Sequence, residues 1–382
     1  MSGPVVFDVV VVGAGPAGCA AAICLSENGL KIGLIDKYYF PREKICGDAL
    51  SKDALSQIRK ISESLHQAIL AHPNAIESAK IRIQTPNRKS YSFHLQGILE
   101  NRIMPRAETD MTLLEECRKH SDISIMEGTQ ILNYSENEDS VILETNSQKI
   151  TASFVIAGDG ANSLFMSRLN SERIPKYITC VRGYYKGISG CDPDHSIELH
   201  YLKALLPGYL WIFPLKGDCY NVGIGITEKR LKRKRIVLSK LFDQVIAQTP
   251  DLAVRFSNAE KTGQLKAWRI PAFTGKVKRY SRRVLLAGDA AFVVDVLSGE
   301  GVGNALRTGW YAAEQALQCF KTGNFTEEHN RAYELRIRKE MQPEIRMHKR
   351  IVGLIRFPFV LNFALGSARI TRFLKRKITG NS

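Results

Sequence analysis

Residues 7–18, FDVVVVGAGPAG, join an apolar β-branched run to three glycines with the spacing GxGxxG. The run predicts a strand that is buried on both faces, as in a parallel sheet. Gly13 permits a tight turn and Gly15 lets the backbone approach a pyrophosphate. Gly18 lets the following helix, whose N-terminal amides attract phosphate, pack closely on the strand. The segment therefore predicts a dinucleotide-binding α/β fold.

The next segment supports the same interpretation. LKIGLID, residues 30–36, predicts a second strand ending in Asp36, which lies 18 residues beyond Gly18. An acid at this place binds the ribose hydroxyls of a dinucleotide. Strand, turn, helix, strand and acid together favour a nucleotide site over a coincidental turn, without distinguishing FAD from NAD.

Two later strands end in the same residue types. FVIAGDGANS at 154–163 and RRVLLAGDAA at 282–291 each follow an apolar run with Gly-Asp, and the second leads to Gly-Glu-Gly at 299–301. Ligands of doubly wound sheets bind at the carboxyl ends of strands. Three such ends suit a long dinucleotide with a ribityl chain, whereas NAD needs one. The alternative for GDAA alone is a helix N-cap by Asp289.

Five motifs in order are similar to those of a known family. They are GAGPAG, FPREKICGDALS at 40–51, GDGANS, PGYLWIFPLKGDCYNVGIG at 207–225, and GDAA followed by GEG. Over roughly residues 5–320 the chain resembles the geranylgeranyl reductase family of FAD-dependent oxidoreductases, within the p-hydroxybenzoate-hydroxylase-like flavoproteins. The resemblance implies FAD and a Rossmann-like α/β FAD-binding domain, with an inserted antiparallel β-sheet substrate domain and a C-terminal helical segment.

The motifs and the resemblance together imply a set of site residues. The cofactor-binding residues are Gly13, Gly15, Pro16, Ala17, Gly18, Asp36, Lys37, Arg42, Cys46, Gly47, Arg106, Asp159, Gly160, Gly288, Asp289, Gly299, Gly301 and Val302. By resemblance, Asp289 bonds the ribityl hydroxyls, and the backbone at 299–303 lies beside the isoalloxazine with a helix N-terminus. For Arg106 the alternative is a solvated arginine at a helix start. Phe292 and Val296 depart from the family, which has glycine and proline there, and both lie near the predicted flavin ring.

The second lobe is predicted from strand patterns. Residues 79–95 and 176–226 alternate like antiparallel strands. Tyr209, Trp211 and Phe213 share one strand face, and an aromatic wall there suits an apolar substrate, with sheet core as the alternative. The expected domains are an FAD-binding domain at 1–74, 101–170 and 270–325, a substrate domain at 75–100 and 171–269, and a C-terminal basic helical segment at 326–382.

Cys46 is the candidate catalytic residue. We expect a helix to begin near Ala49, which places Cys46 in a loop close to a helix N-terminus, a setting that activates a thiol. Facing the flavin, it would help protonation or substrate positioning. The alternative is a small buried side chain.

Charge is distributed unevenly along the chain. The net charge is +16, and residues 221–382 hold 31 Lys and Arg against 13 Asp and Glu. This asymmetry predicts an anionic partner, and without a nucleic-acid fold signature we expect a membrane surface and no nucleic acid. The run KRLKRKR at 229–235 is typical of a solvated helix face. Residues 350–377 mix apolar and basic residues, which suits a helix pair closing the pocket or lying on a membrane.

Other features limit the location and the cofactors. The start, MSGPVVFD, lacks the basic region of a signal peptide, and no stretch predicts a transmembrane helix. We therefore expect a cytoplasmic protein, peripheral to a membrane. The eight cysteines form no CxxC pair, so reduced thiols and no metal site are expected. The oligomeric state stays open.

The favoured function is an FAD-dependent oxidoreductase that reduces C=C bonds of an isoprenoid or similar lipid by hydride transfer from reduced flavin. No second GxGxxG follows a strand, so the electron donor is transient NAD(P)H or a carrier protein. One alternative is an FAD-dependent monooxygenase that hydroxylates or epoxidises an apolar substrate. Another is a non-catalytic flavin-binding sensor or docking protein. Flavin halogenases have similar N-terminal motifs, but their two-tryptophan signature is not found.

Overall fold

The computed structural model describes residues 5–94, 101–171 and 176–367 of the 382-residue chain. Its strands, in chain order, are β1 (Val5–Val12), β2 (Ile32–Ile35), β3 (Ala49–Leu50), β4 (Ile76–Ser78), β5 (Lys80–Gln84), β6 (Ser90–His94), β7 (Asn101–Ile103), β8 (Ile123–Met126), β9 (Ile131–Glu136), β10 (Val141–Thr145), β11 (Lys149–Ala157), β12 (Tyr177–Lys186), β13 (Ile197–His200), β14 (Leu210–Leu215), β15 (Cys219–Thr227), β16 (Glu260–Lys261), β17 (Lys266–Pro271) and β18 (Val284–Leu286).

The helices are α1 (Pro16–Leu25), α2 (Lys52–Ile61), α3 (Glu63–Leu70), α4 (Arg106–Arg118), α5 (Leu164–Leu169), α6 (Glu228–Lys234), α7 (Leu238–Gln248), α8 (Pro250–Arg255), α9 (Val302–Thr322), α10 (Glu327–Ile355) and α11 (Pro358–Gly366). A 3₁₀ turn covers Gly288–Ala291. Within the described ranges, every helix is either too short or too polar to span a bilayer.

The first sheet has the order β8-β2-β1-β11-β10-β9, with β18 also paired to β11. Strands β8, β2, β1, β11 and β18 run parallel, while β9 and β10 form an antiparallel extension. Val9, Val10 and Val11 are 0% exposed, because helices cover one face of the sheet and other chain segments cover the opposite face. The predicted Rossmann-like parallel sheet is confirmed, and its strand ends meet at one edge.

Helices α1 and α9 pack against each other at very short range. A Cβ on Gly309 of α9 would lie 2.1 Å from the carbonyl oxygen of Ala17 in α1. Only glycine permits this approach. The contact fixes the start of α1 close to α9, and therefore brings together two loops that carry predicted site residues.

The second sheet has the order β16-β12-β15-β14-β13-β5-β6, with β17 also paired to β12. Its neighbours are antiparallel apart from β5 and β13, which run parallel. The β5–β6 hairpin joins this sheet from a distant part of the chain. Phe242 of α7 and Leu252 of α8 are buried against one face. The opposite face carries the aromatic residues of β14.

The helix expected near Ala49 begins later. Ala49 and Leu50 form β3, which pairs with β7, and α2 starts at Lys52. Ser51 is the N-cap, since its hydroxyl accepts a hydrogen bond from Ala54 N at 3.1 Å. The expected helix start was therefore wrong by three residues, and a short strand separates the Cys46 loop from the helix.

Helix α10 is anchored to the first sheet by buried polar contacts. Arg279 is 0% exposed and forms a salt bridge of 3.0 Å with Glu334 of α10. Tyr333 donates a hydrogen bond of 2.6 Å to Leu286 O in β18. Helix α11 follows, and its Leu361 and Leu365 pack on the edge of the second sheet around Phe93. The basic residues from 368 onward lie outside the described ranges.

Candidate active site

A cleft of about 1530 Å³ lies between the strand ends of the first sheet and the aromatic face of the second. Gly18 is the predicted site residue that does not line it. The residues that do are Gly13, Gly15, Pro16, Ala17, Asp36, Lys37, Arg42, Cys46, Gly47, Arg106, Asp159, Gly160, Gly288, Asp289, Gly299, Gly301, Val302, Tyr209, Trp211 and Phe213. Chain folding thus brings five separate sequence motifs to one continuous surface.

The glycines of the turn after β1 are glycine for different reasons. A Cβ on Gly18 would lie 1.8 Å from Gly13 O, and one on Gly13 would lie 2.4 Å from Gly158 O. The packing of the chain itself requires both. Gly15 has an ordinary φ of −84°, and its Cβ would meet only Arg42 Nη2, at 3.4 Å. Since the protein gives no steric reason for glycine at 15, the space above it fits a ligand that approaches the backbone.

Asp36 follows β2 directly, as predicted. Its Oδ2 accepts a hydrogen bond of 2.9 Å from Ala14 N, and its Oδ1 accepts one of 3.0 Å from Tyr38 N. The carboxylate therefore ties the end of β2 to the glycine turn and presents its remaining lone pairs at the cleft.

Two arginines at the cleft share one buried carboxylate. Arg42 Nη1 lies 3.2 Å from Asp110 Oδ2, and Arg106 donates to Asp110 Oδ1 at 2.8 Å. Arg106 is 8% exposed, so the alternative of a solvated arginine was wrong. Burial opposes its charge, but Asp110 and then Cys46 raise the pKa of Arg106 overall. Arg42 Nε lies 3.5 Å from Asp36 Oδ2, so this arginine forms ion pairs with the carboxylates of both Asp36 and Asp110.

Asp159 follows β11 and is a half-buried acid, one of whose oxygens is buried and unpaired among the described residues. Its Oδ2 accepts a hydrogen bond of 3.0 Å from Leu164 N, while Oδ1 has no partner among the described residues. Burial raises the pKa of Asp159 to about 6, against the lowering effect of hydrogen bonds from Ser163 and Leu164. A buried unpaired oxygen is costly, so a hydrogen-bond donor on a ligand fits this place.

Asp289 lies inside the 3₁₀ turn after β18 and faces the cleft. Its Oδ2 is 3.6 Å from Lys44 Nζ, which also lies 4.5 Å from the ring centroid of Trp268. The turn has Ala287 at its N-cap position, so the alternative of Asp289 as a helix N-cap was wrong. Lys44 and Trp268 line the cleft and were not predicted for the site.

The loop before α9 is held from two directions. Asp295 Oδ1 accepts hydrogen bonds of 2.9 and 2.8 Å from Leu297 N and Ser298 N. His348 of α10 contacts the other oxygen of Asp295 at 2.7 Å. At the end of this loop, Gly299 has φ of +74°, and α9 points its N-terminus at the cleft. Fixed amides at a helix start stabilise negative charge on a ligand.

Val296 and Phe292, the two residues that differ from the family pattern, lie at different depths relative to the cleft. Val296 lines the cleft. Phe292 is 0% exposed and lies beneath the lining, with φ of +54°. That left-handed conformation favours glycine, which accounts for the family residue at this position.

The three aromatic residues of the second sheet form a connected wall. Ring centroids of Tyr209 and Trp211 are 6.3 Å apart, as are those of Trp211 and Phe213. A Cβ on Gly223 would lie 2.3 Å from Trp211 Cζ2, so the glycine in NVGIG makes room for the indole. Phe213 packs on Gly47, whose Cβ would lie 3.0 Å from the ring. The wall therefore touches the Cys46 loop.

A buried network fixes the wall to that loop. Asn221 accepts a hydrogen bond of 2.9 Å from Trp211 Nε1 and donates to Cys46 O and to Asp48 Oδ2, both at 2.7 Å. Tyr184 donates to the same Asp48 oxygen at 2.8 Å. Burial raises the pKa of Asp48, against the lowering effect of these donors.

Several lining or supporting residues were missed by sequence reasoning. They are Lys44, Asp48, Asp110, Asn221 and Trp268. Asp48 and Asn221 lie inside quoted motifs, and a polar residue on an otherwise apolar strand was an available signal for Asn221. Asp110 is four residues after Arg106 in α4, and this helical pairing was another signal.

The cleft combines three Gly/Asp strand ends of a parallel sheet, a glycine turn open to a ligand, and a helix N-terminus at its far end. These residues fit FAD, and the fold and cleft define a flavoprotein. The chain belongs to the FAD binding domain family, whose profile matches residues 6–336. It is an FAD-dependent oxidoreductase of the geranylgeranyl-reductase-like type.

Curated relatives are similar over most of the chain. Digeranylgeranylglycerophospholipid reductase 2 of Methanosphaera stadtmanae is 27% identical over 343 residues, covering 85% of this chain and 81% of that protein. Menaquinone reductase of Mycolicibacterium smegmatis is 29% identical over 323 residues, covering 80% of this chain and 75% of that protein.

Solved structures share the fold. A geranylgeranyl bacteriochlorophyll reductase-like protein from Thermoplasma acidophilum has a TM-score of 0.84 at 21% identity, covering 99% of this chain and 98% of that one. The halogenase PltM, in complex with phloroglucinol and FAD, has a TM-score of 0.76 at 16% identity, covering 98% of this chain and 85% of that one.

Proposed function

We propose that the protein reduces C=C bonds of an isoprenoid or similar lipid. One observation carries this proposal: the aromatic wall shares the cleft with the loop that leads into α9, and Tyr209 donates a hydrogen bond of 2.7 Å to Ser298 O in that loop. An apolar surface therefore borders the place proposed for the flavin ring. Such a surface suits an extended hydrocarbon chain.

The relatives support the same substrate class. Their names specify reduction of a digeranylgeranyl phospholipid and of menaquinone, and both compounds carry polyprenyl chains. We propose the polyprenyl chain as the feature that this cleft recognises.

The proposed placement of FAD follows the cleft from end to end. Asp36 takes the ribose, and the turn at Gly13–Gly15 with the start of α1 takes the pyrophosphate. Asp289 takes the ribityl hydroxyls. The amides at Gly299–Val302 lie beside the flavin ring, where they stabilise negative charge.

Bound FAD, once reduced, supplies an electron pair together with one hydrogen. The second hydrogen of the product arrives as a proton, and we propose that Cys46 holds it at Sγ. Arg106 interacts electrostatically with the Cys46 side chain, so a positive charge lies beside the proposed proton donor. Trp211 and Phe213 keep water away from the substrate beside this loop.

An anaerobic single-turnover experiment tests the proposal. The FAD-loaded protein is reduced chemically with dithionite, freed of excess reductant, and mixed with detergent-dispersed digeranylgeranyl phospholipid or menaquinone. The expected result is substrate-dependent reoxidation of the flavin, with a product heavier by two hydrogens. NADH, NADPH and reduced ferredoxin are then compared as donors.

Other outcomes assign other functions. Incorporation of oxygen from labelled O₂ into the lipid would overturn the reductase in favour of a monooxygenase. Flavin that no lipid reoxidises, and that none of the physiological donors reduces, would favour a sensor or docking protein.

A further inference from the structure

Helix α11 is apolar on two opposite sides. Leu361 and Leu365 are 8% and 4% exposed and face the protein. Phe359 and Phe363, also one turn apart, are 69% and 72% exposed. A surface helix usually turns polar residues outward, so this outer face is built for an apolar environment.

The exposed phenylalanines belong to a larger patch. Phe357 is 42% exposed, and its ring centroid is 6.0 Å from that of Phe359. Leu354, at the end of α10, is 55% exposed. We call Leu354, Phe357, Phe359 and Phe363 the aromatic patch.

The half of α10 next to the patch carries arginines that have no acidic partner among the described residues. Arg346, Arg350 and Leu354 have four-residue spacing, so they form one row that leads to the patch. Within the described ranges, Arg346, Arg350 and Arg356 form no ion pair. From residue 345 to the end, the sequence has nine Lys and Arg and no Asp or Glu.

The first half of the same helix behaves differently. Arg331 lies 3.2 Å from Glu328, Arg336 lies 3.2 Å from Glu340, and Arg338 lies 2.7 Å from Glu334. The arginines of α10 that are distant from the aromatic patch thus have acidic partners on the same helix. The arginines near the patch have none among the described residues. The contrast points to a negative charge supplied from outside the chain.

The patch lies next to the cleft. Lys349 and Val352, which lie between Arg346 and Leu354 in the sequence of α10, line the cleft. On its inner side, α11 packs through Leu361 into a cluster that includes Tyr209 and Leu297, and both of these line the cleft as well. The inner side of α11 and the proposed substrate wall therefore share one hydrophobic cluster.

We propose that the aromatic patch, together with Arg346, Arg350 and Arg356, docks the protein on a bilayer that contains anionic phospholipid. Aromatic side chains insert at the lipid interface and arginines attract the headgroups. A second protein copy would cover the patch but bring its own unpaired arginines with it, whereas an anionic bilayer neutralises them. The proposal rests on the proposed function in one respect: a lipid substrate then enters the cleft directly from the bilayer.

Vesicle sedimentation of the full-length, FAD-loaded protein tests this surface. The vesicles contain either phosphatidylcholine alone or phosphatidylcholine mixed with phosphatidylglycerol. We expect binding to the mixed vesicles only. The Phe359→Ser/Phe363→Ser variant should bind at least tenfold more weakly, because two apolar side chains no longer insert. The Arg350→Gln/Arg356→Gln variant should lose roughly 25-fold, at about fivefold for each arginine near an anionic surface.

Matched variants elsewhere on the surface serve as controls. Leu335 and Val254 are 53% and 70% exposed and do not line the cleft, and Leu335→Ser/Val254→Ser also removes two exposed apolar side chains. Lys240→Gln/Lys321→Gln removes the same charge. Both controls should bind like the wild type, and bound FAD per chain confirms that each variant is folded.

Three results would overturn the proposal. The first is a wild type that stays in the supernatant with mixed vesicles. The second is binding that both test variants retain, and the third is a patch variant whose only effect is to change the association state in light scattering. Turnover of detergent-dispersed substrate is measured in parallel. Loss of docking with intact turnover supports the docking surface, and docking without any turnover leaves the surface standing while the reductase proposal fails.

Discussion

Phe292 packs edge-on against Tyr177, with ring centroids 5.2 Å apart and ring planes at 67°, although its own backbone has φ of +54°. A non-glycine residue in the left-handed region costs about 1 kcal/mol or more. The ring is fully buried, and burial of a phenyl ring stabilises by more than that cost. Packing therefore holds this backbone turn, next to the loop that carries Val296 and Gly299.

The two opposing effects at Phe292 can be separated. Phe292→Ala loses the ring and keeps the strained backbone, so we expect a loss of about 3–5 kcal/mol in the free energy of unfolding. Phe292→Gly loses the ring but relieves the strain, and should be about 1 kcal/mol more stable than Phe292→Ala. Urea unfolding followed by circular dichroism measures both. A Phe292→Ala variant more stable than Phe292→Gly would contradict the strain at this position.

Gly15, in the turn after β1, is predicted to affect FAD binding but not the stability of the fold. Gly15→Ala should change the free energy of unfolding by no more than about 1 kcal/mol, since its Cβ meets only Arg42 Nη2 at 3.4 Å. It should weaken FAD binding by about tenfold or more, because the methyl group occupies the space of the pyrophosphate. FAD titration of the apoprotein by fluorescence measures the affinity. Gly18→Ala is the contrasting variant, because its Cβ would lie 1.8 Å from Gly13 O and should prevent stable folding. Unchanged FAD affinity in Gly15→Ala would contradict the proposed pyrophosphate position.

Local patterns were enough to predict the strand ends. β1, β11 and β18 are short apolar runs that stop at glycine or at alanine before glycine, so periodicity and turn residues place Gly13, Asp159 and Asp289 at one edge of the sheet. Parallel pairing then brings them together. The alternation of Tyr209, Trp211 and Phe213 likewise placed all three on one face.

Contacts between distant segments were not predicted. Asn221 and Asp48 are 173 residues apart, and the hydrogen bond between them depends on how the second sheet sits over the Cys46 loop. The helix start near Ala49 was wrong because β3 pairs with β7, a contact that local propensity does not contain. The parallel pairing of β5 with β13 was not predicted for the same reason, because the sequence of a strand does not determine which distant strand it pairs with.

The Asn221 network predicts a coupling between the aromatic wall and the Cys46 loop. Asn221→Leu leaves Trp211 Nε1 without its acceptor and removes a donor from buried Asp48. We expect a loss of about 2–4 kcal/mol in the free energy of unfolding, from buried polar groups left unpaired. Turnover should fall further than FAD binding, because the wall and Cys46 lose their common anchor. Exposed Asn258→Leu is the control, and equal losses in both variants would contradict the network.

Cys46 is expected to act in proton transfer rather than in folding. Cys46→Ala should keep FAD and lower the rate of lipid reduction by about 100-fold, the lower range for a positioned proton donor. Cys46→Ser should recover part of that rate at low pH, where protonated buffer acids substitute as the proton donor. Flavin reduction by dithionite should be unchanged in both. Full turnover in Cys46→Ala with intact FAD would show that this thiol is not the donor.

Asp159 gives a pH dependence with a defined sign. Its pKa is raised from 3.8 to about 6 by burial, so between these values the folded protein binds more protons than the unfolded chain. The stabilisation is complete below about pH 4 and is lost as pH rises through about 6, for a total of roughly 3 kcal/mol. We expect the difference in unfolding free energy between wild-type apoprotein and Asp159→Asn to follow this curve. Asp139→Asn, on an exposed loop, should show no such trend.

Saturation with FAD should shrink the difference in unfolding free energy between wild type and Asp159→Asn. A hydrogen-bond donor on the nucleotide would meet the unpaired Oδ1 of Asp159 and favour the charged carboxylate. A flat difference in the apoprotein would contradict the raised pKa, and a difference unchanged by FAD would place the nucleotide elsewhere in the cleft.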